Sequence, residues 1–371
     1  MSKLFETSEI NGMKLSNRFV RSATWEGMAA EDGGCTPKLI DTMAALAQGG
    51  VGLIISSHAY VSPEGQAGPW QLGIYRDELV PGLESMTQAV HDKGGKIVMQ
   101  LAHAGYFSFA KLTGRTPMAP SEVAGFAKGP RREMTVEDIH QVVSAYGTAA
   151  KRAQQAGFDG VQIHSAHGYL LSQFLSPAFN QRHDQYGGDI SNRARALIEV
   201  LQSVRSAVGK DYPVLVKMNC QDFIDNGLAL EDSLQAGAML AQNGIDAIEL
   251  SGGILTGGKL SPSRMGIKTE DKEAYFQQDA IAFKKQIDVP LILVGGNRSF
   301  QVAERLVDDG VADYLSMSRP LIREPGLINR WKSGDLARAA CLSDNMCFEP
   351  ARKGEGIYCL TEERQQAKTV T

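Results

Sequence analysis

Gly160-Val161-Gln162-Ile163-His164 is a short, mostly apolar run that follows a long amphipathic stretch. Upstream, Ile139, Val142, Val143, Tyr146, Ala149, Ala150 and Ala153 recur at i, i+3, i+4 spacing, the mark of a helix with one apolar face. Thr135 with Asp138 three residues on predicts its N-cap, and Gly157 predicts its end. The same order of helix, glycine and strand repeats in both directions. Toward the N-terminus the runs are Phe19-Val20-Arg21-Ser22-Ala23, Val51-Gly52-Leu53-Ile54-Ile55 and Lys96-Ile97-Val98-Met99-Gln100. Toward the C-terminus they are Val214–Met218, Asp246–Leu250, Leu291–Gly295 and Asp313–Met317. Most are continuously apolar, as parallel strands covered on both faces are. A second helical stripe, Ala194, Leu197, Ile198, Leu201 and Val204, separates two of them. Eight strands alternating with helices predict an α/β fold, a (β/α)8 TIM barrel.

Loop lengths agree. The helix-to-strand connections are short and carry Gly49-Gly50, Gly94-Gly95, Gly157, Gly209, Gly244 and Gly310. Three strand-to-helix connections are long, at roughly residues 101–134, 165–190 and 251–272. A barrel places its active site on such loops. The rival doubly wound sheet is disfavoured, because no strand is followed by a Gly-x-Gly-x-x-Gly turn or a Walker-type Gly-Lys-Ser/Thr. Asn11-Gly12 between Ile10 and Met13 predicts an N-terminal hairpin plugging the far end. Residues 1–335 are thus read as the barrel, and 336–371 as a polar, Cys-bearing extension packed on it.

Composition narrows the function classes. The 371 residues are 43% hydrophobic and 22% charged, with a net charge of −4. That is a globular balance, and the acidic sign argues against a general nucleic-acid partner. No apolar run approaches the ~18 residues of a membrane span, and Met1 to Glu9 lacks the apolar stretch of a signal peptide. Five cysteines are too few and too odd for a disulfide framework, so a reducing cytoplasm is expected.

The C-terminal ends of the strands carry a polar set. Ser22-Ala23-Thr24 ends the first and Ser56-Ser57-His58 the second. Gln100 with His103, His164 with His167 and Tyr169, Lys217, and Glu249 with Ser251 follow. The last two strands end in Gly295-Gly296-Asn297 and Ser318-Arg319. The loops after strands seven and eight are the usual phosphate site of this fold. The glycines let backbone N–H groups approach an anion, Ser299 is placed to cap the next helix, and Arg319 adds a fork of donors. His164 and His167, three apart, fall on one side if a helical turn joins them. Such a pair binds a metal or donates two hydrogen bonds to one oxygen. No metal is expected, since no carboxylate belongs obviously to the pair. Tyr169 adds a neutral acid, and the three suit addition of hydrogen across a polarised double bond. Lys217 on a buried strand needs a counter-ion, Glu249 or Asp222, or stands as a cation beside an electron-accepting ring.

With these residues in view, the sequence resembles the old yellow enzyme family of FMN-dependent NAD(P)H oxidoreductases, the ene-reductases. The resemblance runs from residue 4 to about 335. It rests on Leu15-Ser16-Asn17-Arg18-Phe19-Val20, Gln100-Leu101-Ala102-His103-Ala104-Gly105, and His164-Ser165-Ala166-His167-Gly168-Tyr169-Leu170. Ser176-Pro177-Ala178-Phe179-Asn180-Gln181-Arg182, Asp184-Gln185-Tyr186-Gly187-Gly188 and Asn192-Arg193 extend it. It implies FMN at the barrel mouth, with Ser22, Ala23 and Thr24 on the flavin and Gln100 on its pyrimidine ring. Lys217 stands at N1 and O2, and Gly295, Gly296, Ser318 and Arg319 hold the phosphate. It also implies His164 and His167 on a substrate carbonyl, Tyr169 as proton donor, a ping-pong cycle fed by NAD(P)H, and a homo-oligomer acting on a small molecule.

There are departures. Trp25 stands where Cys or Thr is frequent, Ala23 where Pro is, and His58 where small residues are common, so Trp25 enters the substrate pocket and His58 reaches the flavin edge. Cys341, Cys347 and Cys359 keep the spacing of an iron–sulfur site found in larger relatives, but Asp344 replaces the fourth Cys, which predicts a lost site with free thiols. Competing readings are a metal-dependent barrel hydrolase using His103, His164 and His167, a dihydrouridine-synthase-like enzyme, and a flavin binder without turnover.

Overall fold

The computed structural model describes residues 2–370. The strands β1 (Ser8–Ile10) and β2 (Met13–Leu15) form an antiparallel hairpin whose turn residues, Asn11 and Gly12, both have positive φ. That backbone is what an Asn-Gly hairpin turn demands. Then come β3 (Phe19–Arg21), β4 (Leu53–Tyr60) and β5 (Ile97–Ala102). The loop after β5 carries a minor pair, β6 (Met118–Ala119) and β7 (Arg132–Glu133). The chain continues through β8 (Gly160–Ser165), β9 (Val214–Asn219), β10 (Ala247–Ser251), β11 (Leu291–Leu293) and β12 (Tyr314–Met317). β3, β4, β5, β8, β9, β10, β11 and β12 pair in that order, and β12 closes onto β3, so the sheet is a parallel (β/α)8 TIM barrel. Each of the eight predicted runs overlaps one of these strands. Every residue in all eight is buried, which is why they read as apolar runs rather than alternating ones.

The helix before β8 spans Val136–Gln155, with the Thr135 and Asp138 capping box formed on both sides. Its Ile139, Val142, Tyr146, Ala149, Ala150 and Ala153 are buried, as the spacing predicts. Inside the barrel, Val20, Leu53, Ile55, Val98, Leu215, Ala247, Ile292 and Tyr314 make an apolar layer, against which Ile10, Met13 and Leu15 of the hairpin pack. The hairpin therefore plugs the N-terminal end and leaves the other mouth for chemistry.

The structure departs from the sequence reading in two places, both in β4. β4 runs on to Tyr60, so residues 61–76 form a fourth long loop. Pairing of β4 with β5 is Ile55↔Val98, then His58↔Gln100, three residues against two. That bulge turns His58 inward, where simple alternation from Ile55 would point it out. Residues beyond 335 pack on the barrel: Ala339, Cys347, Ala351 and Ile357 join the main core, and Phe348 reaches the mouth.

Candidate active site

The C-terminal ends of the strands surround a cavity of about 220 Å³ that adjoins an outer one of about 530 Å³. Trp25, His58, His167, Tyr169, Leu255 and Phe348 line both. Of the residues expected at the site, Ser22, Ala23, Thr24, Gln100, His164, Lys217, Gly296, Asn297, Ser318 and Arg319 line the inner cavity. Gly295 stands behind it, its carbonyl accepting from Tyr275 N.

Under the cavity lies a buried polar cluster. Glu249 on β10 is fully buried and accepts from Ser22 Oγ at 2.7 Å, Ser316 Oγ at 2.8 Å, Gln162 Nε2 at 2.9 Å and Lys217 Nζ at 3.2 Å. Lys217 also donates to Ser22 Oγ at 2.7 Å. Burial alone would raise the Glu249 carboxyl, but Lys217 and the hydroxyl and amide donors hold it below its ordinary value. Of the two counter-ions weighed for Lys217, Glu249 takes the role, while Asp222 is bonded to Asn219 and the Leu228 amide. A carboxylate only accepts, so Gln162 turns its amide nitrogen to Glu249 and its oxygen to Gln100 Nε2, at 2.7 Å. Gln100 is thereby left with its carbonyl oxygen for the cavity. A donor, Lys217, and an acceptor, Gln100, share this floor.

At the far side, the backbone N–H groups of Gly296 and Asn297 have no acceptor among the described residues, and the buried Asn297 Oδ1 is unpartnered. Gly296 has φ +80°, and a Cβ there would lie 2.9 Å from the Tyr275 ring. Glycine is required twice over, for the backbone angle and for the ring. Arg319 lines the same cavity, with Nη1 bonded to Asn345 Oδ1 at 2.7 Å, and Thr24 Oγ1 meets Ser318 Oγ at 2.6 Å. Free amides, a guanidinium and hydroxyls at one end suit a phosphate. With the donor and acceptor on the floor, the residues fit a flavin mononucleotide. Ser299 does not cap the next helix as expected. Its hydroxyl donates to Glu273, whose carboxylate takes the Arg298 and Ser299 amides and so does the capping itself.

His164, His167, Tyr169 and His58 crowd the other wall. The His164 ring lies 5.3 Å from His167 and 5.0 Å from Tyr169. No helical turn brings the two histidines together. β8 ends at Ser165, and His167 adopts φ +63° with its amide on Asn219 Oδ1, which folds its ring back beside His164. His167 Nε2 shares a proton with Ser251 Oγ at 2.8 Å. His164 Nδ1 is buried and unpartnered. Burial, reinforced by the mutual proximity of these groups and Lys217, lowers both histidines well below the ordinary imidazole range, so both are neutral at pH 7. His103 is elsewhere, with Nδ1 accepting from Gly105 N and its ring outside both cavities. Among the described residues no group of three or more His, Cys, Asp and Glu is arranged for a metal. Cys341, Cys347 and Cys359 are free thiols, and burial with the neighbouring Cys341 pushes Cys347 up to about 12.

Sequence reasoning missed Gln162, whose role depends on Glu249 across the barrel, and the lining residues Tyr275, Arg298 and Phe348. Phe348 carries no periodic signal, since it enters the site from the extension.

Residues 3–337 match the model of the NADH:flavin oxidoreductase / NADH oxidase family. The chain belongs to this family, the old yellow enzymes. It is 35% identical over 325 residues to the NADPH dehydrogenase of Bacillus subtilis, covering 87% of this chain and 92% of that one. It is 35% identical over 336 residues to the NADH oxidase of Thermoanaerobacter brockii, covering 89% of this chain and 51% of that one, so it spans about half of that relative's length. The old yellow enzyme homologue from Zymomonas mobilis superposes with a TM-score of 0.79 at 28% identity, over 97% of this chain and 98% of that one. No helix among the described residues is long and apolar enough to cross a membrane.

Proposed function

We propose that the protein is an FMN-dependent oxidoreductase that takes hydride from NAD(P)H and reduces the C=C bond of α,β-unsaturated carbonyl compounds. One observation carries this reading: His164, His167 and Tyr169, with both imidazoles neutral, converge on a cavity floored by Gln100 and Lys217. The Gln100 oxygen and Lys217 Nζ would take the pyrimidine edge of the flavin. Ser22, Ala23 and Thr24 would meet its ring, with His58 at the cavity edge. Gly296, Asn297, Ser318 and Arg319 would hold its phosphate, with Gly295 shaping their turn. When bound, FMN supplies the means of passing hydride from nicotinamide to acceptor.

The chain's own residues do the rest. His164 and His167 donate to the acceptor's carbonyl oxygen and draw electron density away from the conjugated C=C bond. They stabilise the enolate charge as it develops. Tyr169 holds the proton destined for the α-carbon, because burial raises its phenol and keeps it un-ionised until a carbanion is present. Trp25, Leu255 and Phe348 offer apolar surface to the acceptor's body. The same reading takes the protein as a cytoplasmic homo-oligomer acting on a small molecule. Light scattering of the purified protein reads its assembly.

The test is an absorption spectrum followed by anaerobic NADH or NADPH and then 2-cyclohexenone. Flavin bands that bleach and return support the reading. Bands that bleach and stay bleached would leave a flavin oxidoreductase with another acceptor and place Trp25 under suspicion. A protein that takes up no FMN overturns the reading altogether.

A further inference from the structure

We propose that His58 is a proton relay that restores Tyr169 after each turnover. The proposal rests on the ene-reduction reading of the same site and adds a residue to it. Tyr169 OH and His58 Nε2 are 3.2 Å apart, and the two rings stack at 5.4 Å with 12° between their planes. His58 faces Tyr169 only because of the bulge in β4, which re-aims one side chain at the cost of a regular ladder. The other ring nitrogen, Nδ1, has no hydrogen bond among the described residues and is not one of the buried unpartnered atoms. His58 lines both cavities, and that nitrogen is open to the space they share. The pair thus joins the proton donor at one end to cavity water at the other.

The proton balance closes. Tyr169 breaks its O–H bond as the α-carbon gains C–H, which leaves a phenolate. His58 breaks Nε2–H as the phenol re-forms, and Nδ1 takes a proton from a hydronium or buffer acid in the outer cavity. His58 ends neutral in the other tautomer, and exchange with cavity water resets it. Geometry makes the relay possible, and acidity favours it. Burial lowers His58 to about 4 and raises Tyr169, so neither rests charged and a phenolate left in the site is a strong base. The pair moves a proton without storing one.

A structural role for His58 would orient Tyr169 and slow every turnover equally. A relay spares the first turnover, because Tyr169 enters it already protonated. His58→Phe keeps a ring on Tyr169 with no proton to pass, and His58→Ala leaves room for free imidazole. For His58→Phe, any change in reduction by NAD(P)H or in a single reoxidation by 2-cyclohexenone is expected to be small beside the change in steady-state turnover. Steady-state turnover is expected to fall about 10²-fold, within the range of general acid–base catalysis. Imidazole is expected to restore turnover of His58→Ala in proportion to its concentration. Independently of activity, Tyr169→Phe should shift the ¹⁵N resonance of His58 Nε2 in the resting protein. A His58→Phe enzyme that cycles at the wild-type rate, or whose first turnover is slowed as much as its steady state, overturns the relay alone. Wild-type protein that NAD(P)H bleaches and the enone does not reoxidise overturns the ene-reduction reading, and the relay falls with it.

Discussion

The buried pair of Lys217 and Glu249 gives the sharpest energetic test of this site. Their charges are 3.2 Å apart, with side chains 3% and 0% exposed. At an effective dielectric constant of ~20 the Coulomb attraction at that distance is about 5 kcal/mol. Much of it offsets the desolvation of two ions, so the pair itself adds little net stability. Removing one partner is different, because the other is left buried and uncompensated. Glu249→Gln is expected to cost about 3–5 kcal/mol. It keeps the shape and an oxygen for the Ser22 and Ser316 hydroxyls but turns an amide nitrogen toward Gln162 Nε2, so the loss reports the charge and that acceptor rather than volume. Lys217→Met in the same chain removes the stranded cation and is expected to recover at least ~2 kcal/mol of that cost. Urea unfolding of the four proteins without cofactor, followed by circular dichroism, closes the double-mutant cycle. FMN is left out because a ligand that binds only the folded state adds stability of its own. Single losses that add to within ~0.5 kcal/mol in the double variant would refute the reasoning, since the charges would then be uncoupled.

Other expectations follow from the same geometry. His58 and His103 fall from 6.5 to about 4 on burial, so between those pH values the unfolded chain binds more protons than the folded one. Stability is therefore fully present above pH 6.5 and drops as pH falls, by up to ~1.4 kcal/mol per pH unit for each histidine, as urea midpoints at pH 7 and 5 will read. Gly296→Val places a β-branched residue at φ +80° against the Tyr275 ring. It is expected to lose FMN on gel filtration and to cost about 1–3 kcal/mol in thermal unfolding. His164→Ala should keep FMN and slow reoxidation by 2-cyclohexenone about 10²-fold in stopped flow, and reoxidation at an unchanged rate would remove His164 from the carbonyl.

Much of the site was legible because a barrel puts its chemistry at strand ends, and strand ends can be read from apolar runs. Thus Gln100, His164, Lys217 and Arg319 line the cavity from strand ends that the apolar runs locate. The juxtaposition of His164 and His167 was also legible, but its assumed cause, a helical turn, is replaced by the left-handed backbone of His167. Gln162 and Phe348 were not legible. One matters only through Glu249, 87 residues away, and the other enters from a segment without periodicity.

The sequence by itself determined the elements and their closure: eight buried runs, the capping box at Thr135, the Asn-Gly turn, and the motif from His164 to Leu170. These depend on propensity, periodicity and turn chemistry over a few residues, so they survive without a neighbour in view. Only the tertiary structure decided how β4 is registered on β5, and with it that His58 faces Tyr169 rather than the helices. It alone decided that Lys217 finds Glu249 and that Gln100 shows its oxygen to the cavity. Such facts belong to pairs on different strands, and a one-residue slip in register reverses every side chain beyond it, so no local pattern can contain them.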